Sequence, residues 1–282
     1  MGQTRIEWCD KSWNPITGCS HAGSPGCDNC YARRMANRLK GRYGYDKDDP
    51  FKVTFHPDRL AEPLHWKKPS RIFVCSMGDL FHEDVTFDCI EEIYWMQIRA
   101  YQHTYLWLTK RPERMRQYFK HHELPPDYLK LFLGVSIENQ RTADERVLEL
   151  LKIPAEKHFI SVEPMLEFVN IPWPDGWHQN SHIDWVICGG ETGPKARPMH
   201  PDWVTSLRDQ CQAAGVSLFF KQWGEWDIDY EHPTHIVMRD GTCEPINRSN
   251  CCSGVAIRRV GKNKAGRLLN GKEYREFPTE EG

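Results

Sequence analysis

Short apolar runs alternate with polar, helix-forming stretches over most of the chain. Six runs rich in strand-forming residues begin 26 to 33 residues apart, at Ile72, Tyr105, Leu131, Phe159, Trp185 and Leu218. This interval is the length of one strand–helix–strand step. Helix start signals fall between the runs, at Thr86, at Thr142 in "TADERVLELL" and at Pro201. Nearly continuous apolar strands separated by helices are typical of a parallel sheet covered by helices.

A shorter first strand is predicted around "KSWNPITG", just before Cys19, which brings the number of strands to about seven. Seven parallel strands with intervening helices predict an α/β fold, a partial or full TIM-like (β/α) barrel. We assign residues 1–226 to this barrel, with an insertion at 41–70. Two glycine turn signals, "RDG" and "NGK", predict a small C-terminal β-hairpin appendage over residues 227–282.

Composition narrows the class of protein. The chain has 282 residues and a net charge of -2, which argues against a generally basic nucleic-acid coat but leaves room for a local basic patch. No apolar run reaches membrane-spanning length and the first residues lack the apolar core of a secretory signal, so we expect a cytoplasmic protein without membrane contact. Eleven cysteines, an odd number, favour metal ligation or buried free thiols over a disulfide framework.

Polar residues follow the predicted strands. In a parallel barrel, functional groups collect where strands end and loops begin. The residues at these positions are Met77, Gly78, Asp79, Lys110, Arg111, Ser136, Glu138, Ser161, Glu163, Gly189, Gly190, Glu191, Lys221 and Trp223. Burying several carboxylates at one end of a barrel is costly unless something compensates, so their recurrence predicts a polar ligand there. Ion pairs with Lys110, Arg111 and Lys221 are the alternative.

Three cysteines occupy a loop that follows the first predicted strand. Cys19, Cys27 and Cys30 have the spacing C-x7-C-x2-C, with glycines and a proline that let the backbone fold tightly. Three thiolates can hold three irons of a [4Fe–4S] cluster and leave the fourth open to a ligand. Zinc is the main rival, with His21 as fourth ligand, although the Cys19–His21 spacing is awkward for a tetrahedral site. Unligated thiols are the third possibility.

At this point the chain resembles two groups of proteins. A three-cysteine loop after the first strand of a partial barrel resembles the radical S-adenosylmethionine superfamily. The segments "WNPITGC", "FVCSMGDLFHEDV", "LWLTKRPERM", "GVSIENQ", "SVEPML", "GGETGPKARPMHPDW" and "FFKQWGEW" resemble a phage and bacterial three-cysteine family of poorly defined function. The first cysteine gap is four residues longer than the usual C-x3-C-x2-C, and Tyr31 follows the last cysteine rather than preceding it.

The resemblance to radical enzymes implies a cofactor set and a mechanism. Cys19, Cys27 and Cys30 would bind the cluster, whose open iron would chelate S-adenosylmethionine. Electron transfer into the sulfonium would give a 5′-deoxyadenosyl radical that abstracts hydrogen, with a reductant such as flavodoxin or ferredoxin supplying the electron. Met77, Gly78 and Asp79 would meet the methionine part. The remaining cofactor contacts would be Ser136, Glu138, Ser161 and Glu163 at the ribose, and the Gly189–Gly190 backbone, followed by Glu191, at the adenine.

Substrate and catalytic residues are less defined by the sequence. Lys110 and Lys221 are the candidate catalytic residues, each able to donate a proton or grip a phosphate. Trp13 and Trp223 are candidates for stacking on a base and Arg111 for contacting a phosphate, so a nucleic acid or nucleotide is the favoured substrate. Two alternatives stay open: a zinc-stabilised nucleic-acid-binding protein without catalysis, and a metal-independent hydrolase with Glu138 or Glu163 as general base.

Overall fold

The structure is a computed structural model that describes residues 4–122, 126–173 and 182–279. Seven parallel strands form one curled sheet, a half-barrel, in the order β1-β4-β5-β6-β7-β8-β9, which confirms the predicted fold class. Two further short strands, β2 and β3, pair antiparallel beside it. The first nine strands are β1 (Lys11–Trp13), β2 (Ile16–Thr17), β3 (Thr54–Phe55), β4 (Arg71–Val74), β5 (Thr104–Thr109), β6 (Leu131–Ile137), β7 (Lys157–Val162), β8 (Trp185–Gly189) and β9 (Ser217–Gln222).

Helices connect most of the parallel strands. They are α1 (Tyr31–Leu39), α2 (Phe87–Arg99), α3 (Pro112–His121), α4 (Gln140–Leu150), α5 (Pro201–Ala214) and α6 (Lys262–Ala265), with short 3-10 turns at Pro25–Cys27, Pro57–Arg59 and Glu62–His65. The Thr86 hydroxyl accepts a hydrogen bond from the Cys89 amide and so caps α2 as predicted. The helix predicted to begin at Thr142 begins two residues earlier, because the Asn139 side chain is its cap.

Alternate residues of the strands face two different cores. Those on the outer face pack under the helices in a large apolar cluster that includes Val135, Ile160 and Val204. Those on the inner face form a second cluster with the N-terminal segment, which is largely aromatic and contains Trp8, Phe73, Phe159, Trp185 and Phe219. This inner cluster, called here the aromatic floor, fills the half-barrel below the carboxyl ends of the strands.

A small antiparallel sheet follows the half-barrel. It contains β10 (Trp226–Ile228), β11 (His235–Val237), β12 (Cys243–Pro245) and β13 (Val255–Arg259), in the order β10-β13-β11-β12. The "RDG" turn joins β11 to β12, and a bridge between Leu269 and Lys272 closes the "NGK" turn, so both predicted turns are confirmed. Within the described residues, no helix is both long enough and apolar enough to span a bilayer.

Candidate active site

A polar layer lies above the aromatic floor, toward the carboxyl ends of the strands. Because inward-facing residues recur every second position, Ser161 and Glu163 follow Phe159 along one strand, and Lys221 follows Phe219 along another. Ser136 lies beside Ser161 in the register of β6 and β7. Gly189 ends β8 next to Lys221. We call this layer, Ser136, Ser161, Glu163, Gly189 and Lys221, the mouth.

The three-cysteine loop leaves the first strands at the edge of the mouth. Gly18 forms a parallel bridge with Gly78, and the Gly18 amide donates to the Met77 carbonyl over 2.9 Å. Gly18 has a φ of +86°, and a Cβ there would lie 2.1 Å from the Lys52 carbonyl oxygen. A side chain at Gly78 would likewise come within 2.9 Å of the Gly18 oxygen. Only glycine permits this approach, which fixes Cys19 at the carboxyl end of β4.

The same loop is tied to the strands on the far side of the mouth. The Ser24 hydroxyl donates to Glu138 Oε2 over 2.5 Å. The Asn29 amide donates to Glu191 Oε2 over 3.0 Å. Arg197 donates from Nη2 to the Pro25 carbonyl over 2.8 Å. The loop therefore spans the open end of the half-barrel, from β4 to the ends of β6 and β8.

Three cations surround the three thiols. Arg111 Nη1 lies 3.5 Å from Cys19 Sγ. Lys110 is close enough to Cys27 and Cys30 to interact electrostatically with both, and Arg146 is similarly close to Cys27. Cys19 and Cys27 also interact with one another. The loop thus lies in an electropositive environment that favours anionic sulfur.

Burial opposes ionisation of Cys19, the first cysteine of the loop. It raises the pKa of Cys19 to about 12, with Asp79 acting in the same direction and Arg111 against it. Burial also lowers the pKa of Lys110, helped by Arg146, whereas Cys27 and the ion pair with Glu138 favour the charged form. Cys19 is therefore a neutral thiol at neutral pH, and binding of a metal there would release its proton.

Three of the predicted carboxylates are held by protein donors. Asp79 accepts from Thr109 Oγ1 at 2.7 Å and from Arg111 Nη1 at 2.9 Å. Glu138, fully buried, pairs with Lys110 and with Arg146. Glu191 pairs with Arg197 at 2.7 Å. The ion-pair alternative fits Asp79 with Arg111 and Glu138 with Lys110, and it also fits Glu163 with Lys221. The partner of Glu191, Arg197, is a cation that the alternative did not name. The pairs of Asp79, Glu138 and Glu191 hold the cations and the loop in position.

Glu163 differs from the other carboxylates because it faces the mouth. Its Oε1 lies 2.5 Å from Lys221 Nζ, and its side chain is 24% exposed. A Cβ at Gly189 would be 3.5 Å from Glu163 Oε1 and 3.4 Å from Lys221 Cβ, so the glycine keeps the space beside this pair open. The pair is able to bind a polar ligand and to exchange a proton with it.

One family model covers nearly the whole chain. This model, described as protein of unknown function, DUF5131, matches residues 3–278. The chain belongs to the DUF5131 family. No curated protein matches it.

Among solved structures, the chain is similar to spore photoproduct lyase. A cysteine-to-alanine mutant of that enzyme with dinucleoside spore photoproduct has a TM-score of 0.45 and 11% identity, and the match covers 89% of this chain and 72% of that one. A cysteine-to-serine mutant of the same enzyme has a TM-score of 0.44 and 13% identity with the same coverage.

The predicted substrate residues are engaged by protein partners, and Trp13 and Arg111 are also buried. Trp13 is fully buried, and its indole donates to the Arg59 carbonyl over 2.8 Å. Trp223 donates to the Leu268 carbonyl over 2.9 Å. Arg111 is engaged by Asp79, Glu83, Ser20 and Cys19. A base or phosphate would have to displace these contacts to reach any of the three.

The backbone predicted to meet an adenine is also partly engaged. The Gly190 amide donates to the Gln222 carbonyl over 2.9 Å, and Gln222 Nε2 donates to the Gly190 oxygen over 2.8 Å. Gln222 Oε1 is buried and has no hydrogen-bond partner within the described residues. A buried acceptor without a donor is costly, which makes Gln222 a candidate ligand contact that the sequence did not single out.

Tyr31 is a second residue that the sequence did not identify as part of the candidate site. It opens α1 directly after Cys30, and its hydroxyl donates to the Ser76 carbonyl over 2.5 Å. Burial raises the pKa of Tyr31 and the neighbouring Glu163 adds to the effect, yet 48% of the residue surface is open to solvent. Tyr31 therefore lies near both Cys30 and Glu163, with part of its surface exposed.

His21 does not join the thiols. Its Nε2 lies 3.0 Å from Asp28 Oδ1, and its Nδ1 accepts from the Gly23 amide over 3.1 Å. Across the described ranges, no three His, Cys, Asp or Glu side chains are grouped so as to hold a single metal ion. A cubane cluster makes a different demand, because each cysteine binds a different iron of one larger core.

Proposed function

We propose that the chain is a radical S-adenosylmethionine enzyme that holds a [4Fe–4S] cluster on Cys19, Cys27 and Cys30. The observation that carries the proposal is the position of the cysteine loop. The loop spans the mouth, and its thiols lie close to Lys110, Arg111 and Arg146. A buried aromatic floor below the mouth suits a reaction that must exclude water from one side of the site. The proposed substrate is a nucleic acid or nucleotide.

The residues present fit a cluster in two respects. Three thiols and no fourth cysteine in the loop match a cluster with one open iron. Arg111, in contact with Cys19, and the nearby Lys110 supply positive charge that lowers the cost of the anionic sulfurs. When bound, the reduced cluster supplies one electron that cleaves S-adenosylmethionine and yields a carbon radical able to abstract hydrogen. We propose a flavodoxin- or ferredoxin-type reductant.

The cofactor contacts divide into a frame and a binding surface. Asp79, Glu138 and Glu191 form the frame, because their oxygens hold the cations and the cysteine loop. Around the mouth, the proposed contacts of S-adenosylmethionine are Met77, Gly78, Ser136, Ser161, Glu163, Gly189, Gly190 and Gln222. Glu163 is suited to accept from the ribose hydroxyls because its carboxylate is partly exposed there.

Proton exchange is assigned to two lysines. Lys221 Nζ donates to Glu163 in the mouth and can pass a proton to a bound substrate. Lys110 lies beside Cys27 and Cys30, and its ammonium pairs with the buried Glu138. Both side chains lie where the strands end, so they are the proposed catalytic residues.

Anaerobic purification and reconstitution test the proposal. We expect a brown protein with about four irons and four sulfides per chain, and 5′-deoxyadenosine after reduction with dithionite in the presence of S-adenosylmethionine. Cys27→Ala should lose both signals. Cys89→Ser, on α2 outside the loop, should keep them. A colourless wild-type protein that takes up no iron would refute the proposal, and one tightly bound zinc per chain would favour the zinc-stabilised alternative instead.

A further inference from the structure

Helix α1 and the turn after it carry a row of exposed cations directly beside the cysteine loop. The helix begins at Tyr31, the residue after Cys30, and extends for nine residues. At 1.5 Å per residue its length is about 13 Å. Its exposed cations and those of the following turn are Arg33, Arg38, Lys40, Arg42 and Lys47. We call this set the α1 basic face.

The charges of this face are not neutralised by ion pairs. In the described part of the chain, none of its five cations lies within ion-pair distance of a carboxylate. Two of its guanidinium groups are instead held by uncharged partners. Arg33 lies over the Phe51 ring at 5.3 Å, and Arg42 Nη2 donates to the Arg38 carbonyl over 2.5 Å. Asp46, Asp48 and Asp49 lie beside Lys47 at one end of the face, and Asp46 interacts with it electrostatically. The other four cations leave a local excess of positive charge on a chain of net charge -2.

In the basic stretch near the C-terminus the arginines are engaged, whereas Lys262, Lys264 and Lys272 have no ion pair in the described residues. Arg258 pairs with Asp229 at 2.8 Å, and Arg267 pairs with Glu7 at 2.5 Å. Arg259 donates to the Gly193 and Pro194 carbonyl oxygens. Arg267 and Arg259 therefore attach the C-terminal region to the half-barrel, and Arg258 pairs within that region. The α1 basic face differs from this stretch by its position directly beside the cysteine loop.

An exposed aromatic residue accompanies the cations. Tyr43 is 61% exposed and has a φ of +53°, an uncommon value for a residue with a side chain. Its carbonyl accepts from Arg59 Nη2 over 2.5 Å, which holds the backbone in this conformation. Guanidinium groups suit phosphate oxygens, and an exposed ring offers a stacking surface to a base. An acidic protein would meet the charges but would not need the ring.

From this arrangement we propose that the α1 basic face binds the sugar–phosphate backbone of a nucleic acid. A strand bound there leads to Tyr31, where α1 meets the mouth, so a neighbouring nucleotide enters the space beside Glu163. This inference rests on the proposed function and names its substrate as a polymer rather than a free nucleotide. It also replaces Trp13, Arg111 and Trp223 as the principal substrate contacts.

The test uses fluorescence anisotropy of the full chain, without cluster, and labelled 20-nucleotide single strands of DNA and RNA and the corresponding duplexes. The variant Arg38→Gln/Lys40→Gln/Lys47→Gln removes three charges whose side chains have no hydrogen bond or ion pair in the described structure. We expect at least tenfold weaker binding and a log–log salt slope smaller by about 2, as loss of three phosphate contacts on a single strand predicts. The four probes identify the preferred form of nucleic acid.

A matched control removes the same charge elsewhere. Lys262→Gln/Lys264→Gln/Lys272→Gln should bind as the wild type does. Unchanged binding by the α1 variant, or an equal loss in the control, would overturn the inference. The inference would also be overturned if the α1 variant bound nucleic acid normally but no longer accepted electrons from an acidic reductant. The face would then bind a protein. Substrate-free cleavage of S-adenosylmethionine by the reconstituted α1 variant should stay at the wild-type level, which separates failure of this inference from failure of the proposed function.

Discussion

Gly26 of the cysteine loop lies directly against Glu138 at the end of β6. A Cβ at Gly26 would be 2.9 Å from Glu138 Cγ and 3.0 Å from Pro164 Cδ. Glu138 cannot move aside easily, because it is fully buried and paired with Lys110 and Arg146. The loop therefore closes over a fixed ion-pair cluster, and its position depends on the absence of one methyl group.

Gly26→Ala should displace the loop from the mouth. We expect the free energy of unfolding to fall by about 1–3 kcal/mol, as for other overpacked sites, and reconstitution to incorporate much less iron. Urea unfolding and iron analysis measure the two effects. Gly23→Ala is the control, since a Cβ there meets nothing within 4 Å although its φ is +64°. It should cost about 1 kcal/mol and leave iron uptake intact. Equal iron contents in the two variants would contradict a packing role for Gly26.

Gly189→Ala should affect ligand binding more than stability. The added methyl would make ordinary contacts at 3.4–3.6 Å with Lys221, Glu163 and Gln222, so the protein should fold with a change below about 1 kcal/mol. The methyl would nevertheless occupy the space beside the Glu163–Lys221 pair. We expect the affinity for S-adenosylmethionine to fall at least tenfold, measured by equilibrium dialysis on reconstituted protein. An unchanged affinity would mean that the cofactor lies elsewhere.

Glu163→Gln should weaken cofactor binding without loss of the cluster. The carboxylate is partly exposed in the mouth, and a charge-assisted hydrogen bond to a ribose hydroxyl contributes about 1.5–3 kcal/mol, or roughly tenfold to a hundredfold in affinity. Isothermal titration with S-adenosylhomocysteine measures the change. Glu167→Gln, four residues along and exposed, is the matched control and should bind normally. A normal affinity in Glu163→Gln would remove this residue from the cofactor site.

Arg111→Met should destabilise the fold as well as the site. Arg111 pairs with the buried Asp79 at 2.9 Å, and its loss would leave that carboxylate without its cation. Breaking a buried pair in this way costs about 3–5 kcal/mol. The double variant Arg111→Met/Asp79→Asn should recover part of this loss in urea unfolding, because the uncompensated charge is gone. Strictly additive effects of the two substitutions would show that the pair is not coupled.

The fold can be predicted from the sequence because its signals are local and repeated. The strands from β4 to β9 are apolar runs, and helices α2 to α5 each begin at a capping residue or a proline, as α2 does at Thr86 and α5 at Pro201. The least secure strand, β1, is predicted from position alone, and it pairs with β4 in parallel register. The small C-terminal sheet is predicted only as hairpins, because the pairing of β10 with β13 joins segments about thirty residues apart.

The sequence predicts the position of the site but not its contacts. Parallel topology alone brings the polar strand ends together, which is why Glu163 and Lys221 can be named in advance. The partners of the other carboxylates cannot be named in advance, because they are distant in sequence. Ser24 and Glu138 are 114 residues apart, and Asn29 and Glu191 are 162 residues apart. The residues around a loop serine or a helical arginine do not reveal whether its side chain faces solvent or a buried carboxylate. Burial decides between the two, and burial is a property of the folded chain.

We expect the protein to be less stable in mild acid, because the folded chain disfavours protonation of His103. The residue is fully buried, its Nε2 lies 3.1 Å from the Pro63 carbonyl oxygen, and its Nδ1 has no hydrogen-bond partner in the described ranges. Burial lowers its pKa below 6.5, with Lys11 acting in the same direction and the Pro63 carbonyl opposing. Below pH 6.5 the unfolded chain therefore binds a proton at this residue that the folded chain does not bind, so stability falls as the pH falls. Urea unfolding at about pH 7.5 and about pH 5.5 should reveal a loss of stability that is smaller in His103→Gln than in the wild type. The same loss in both proteins would assign the acid sensitivity to other groups.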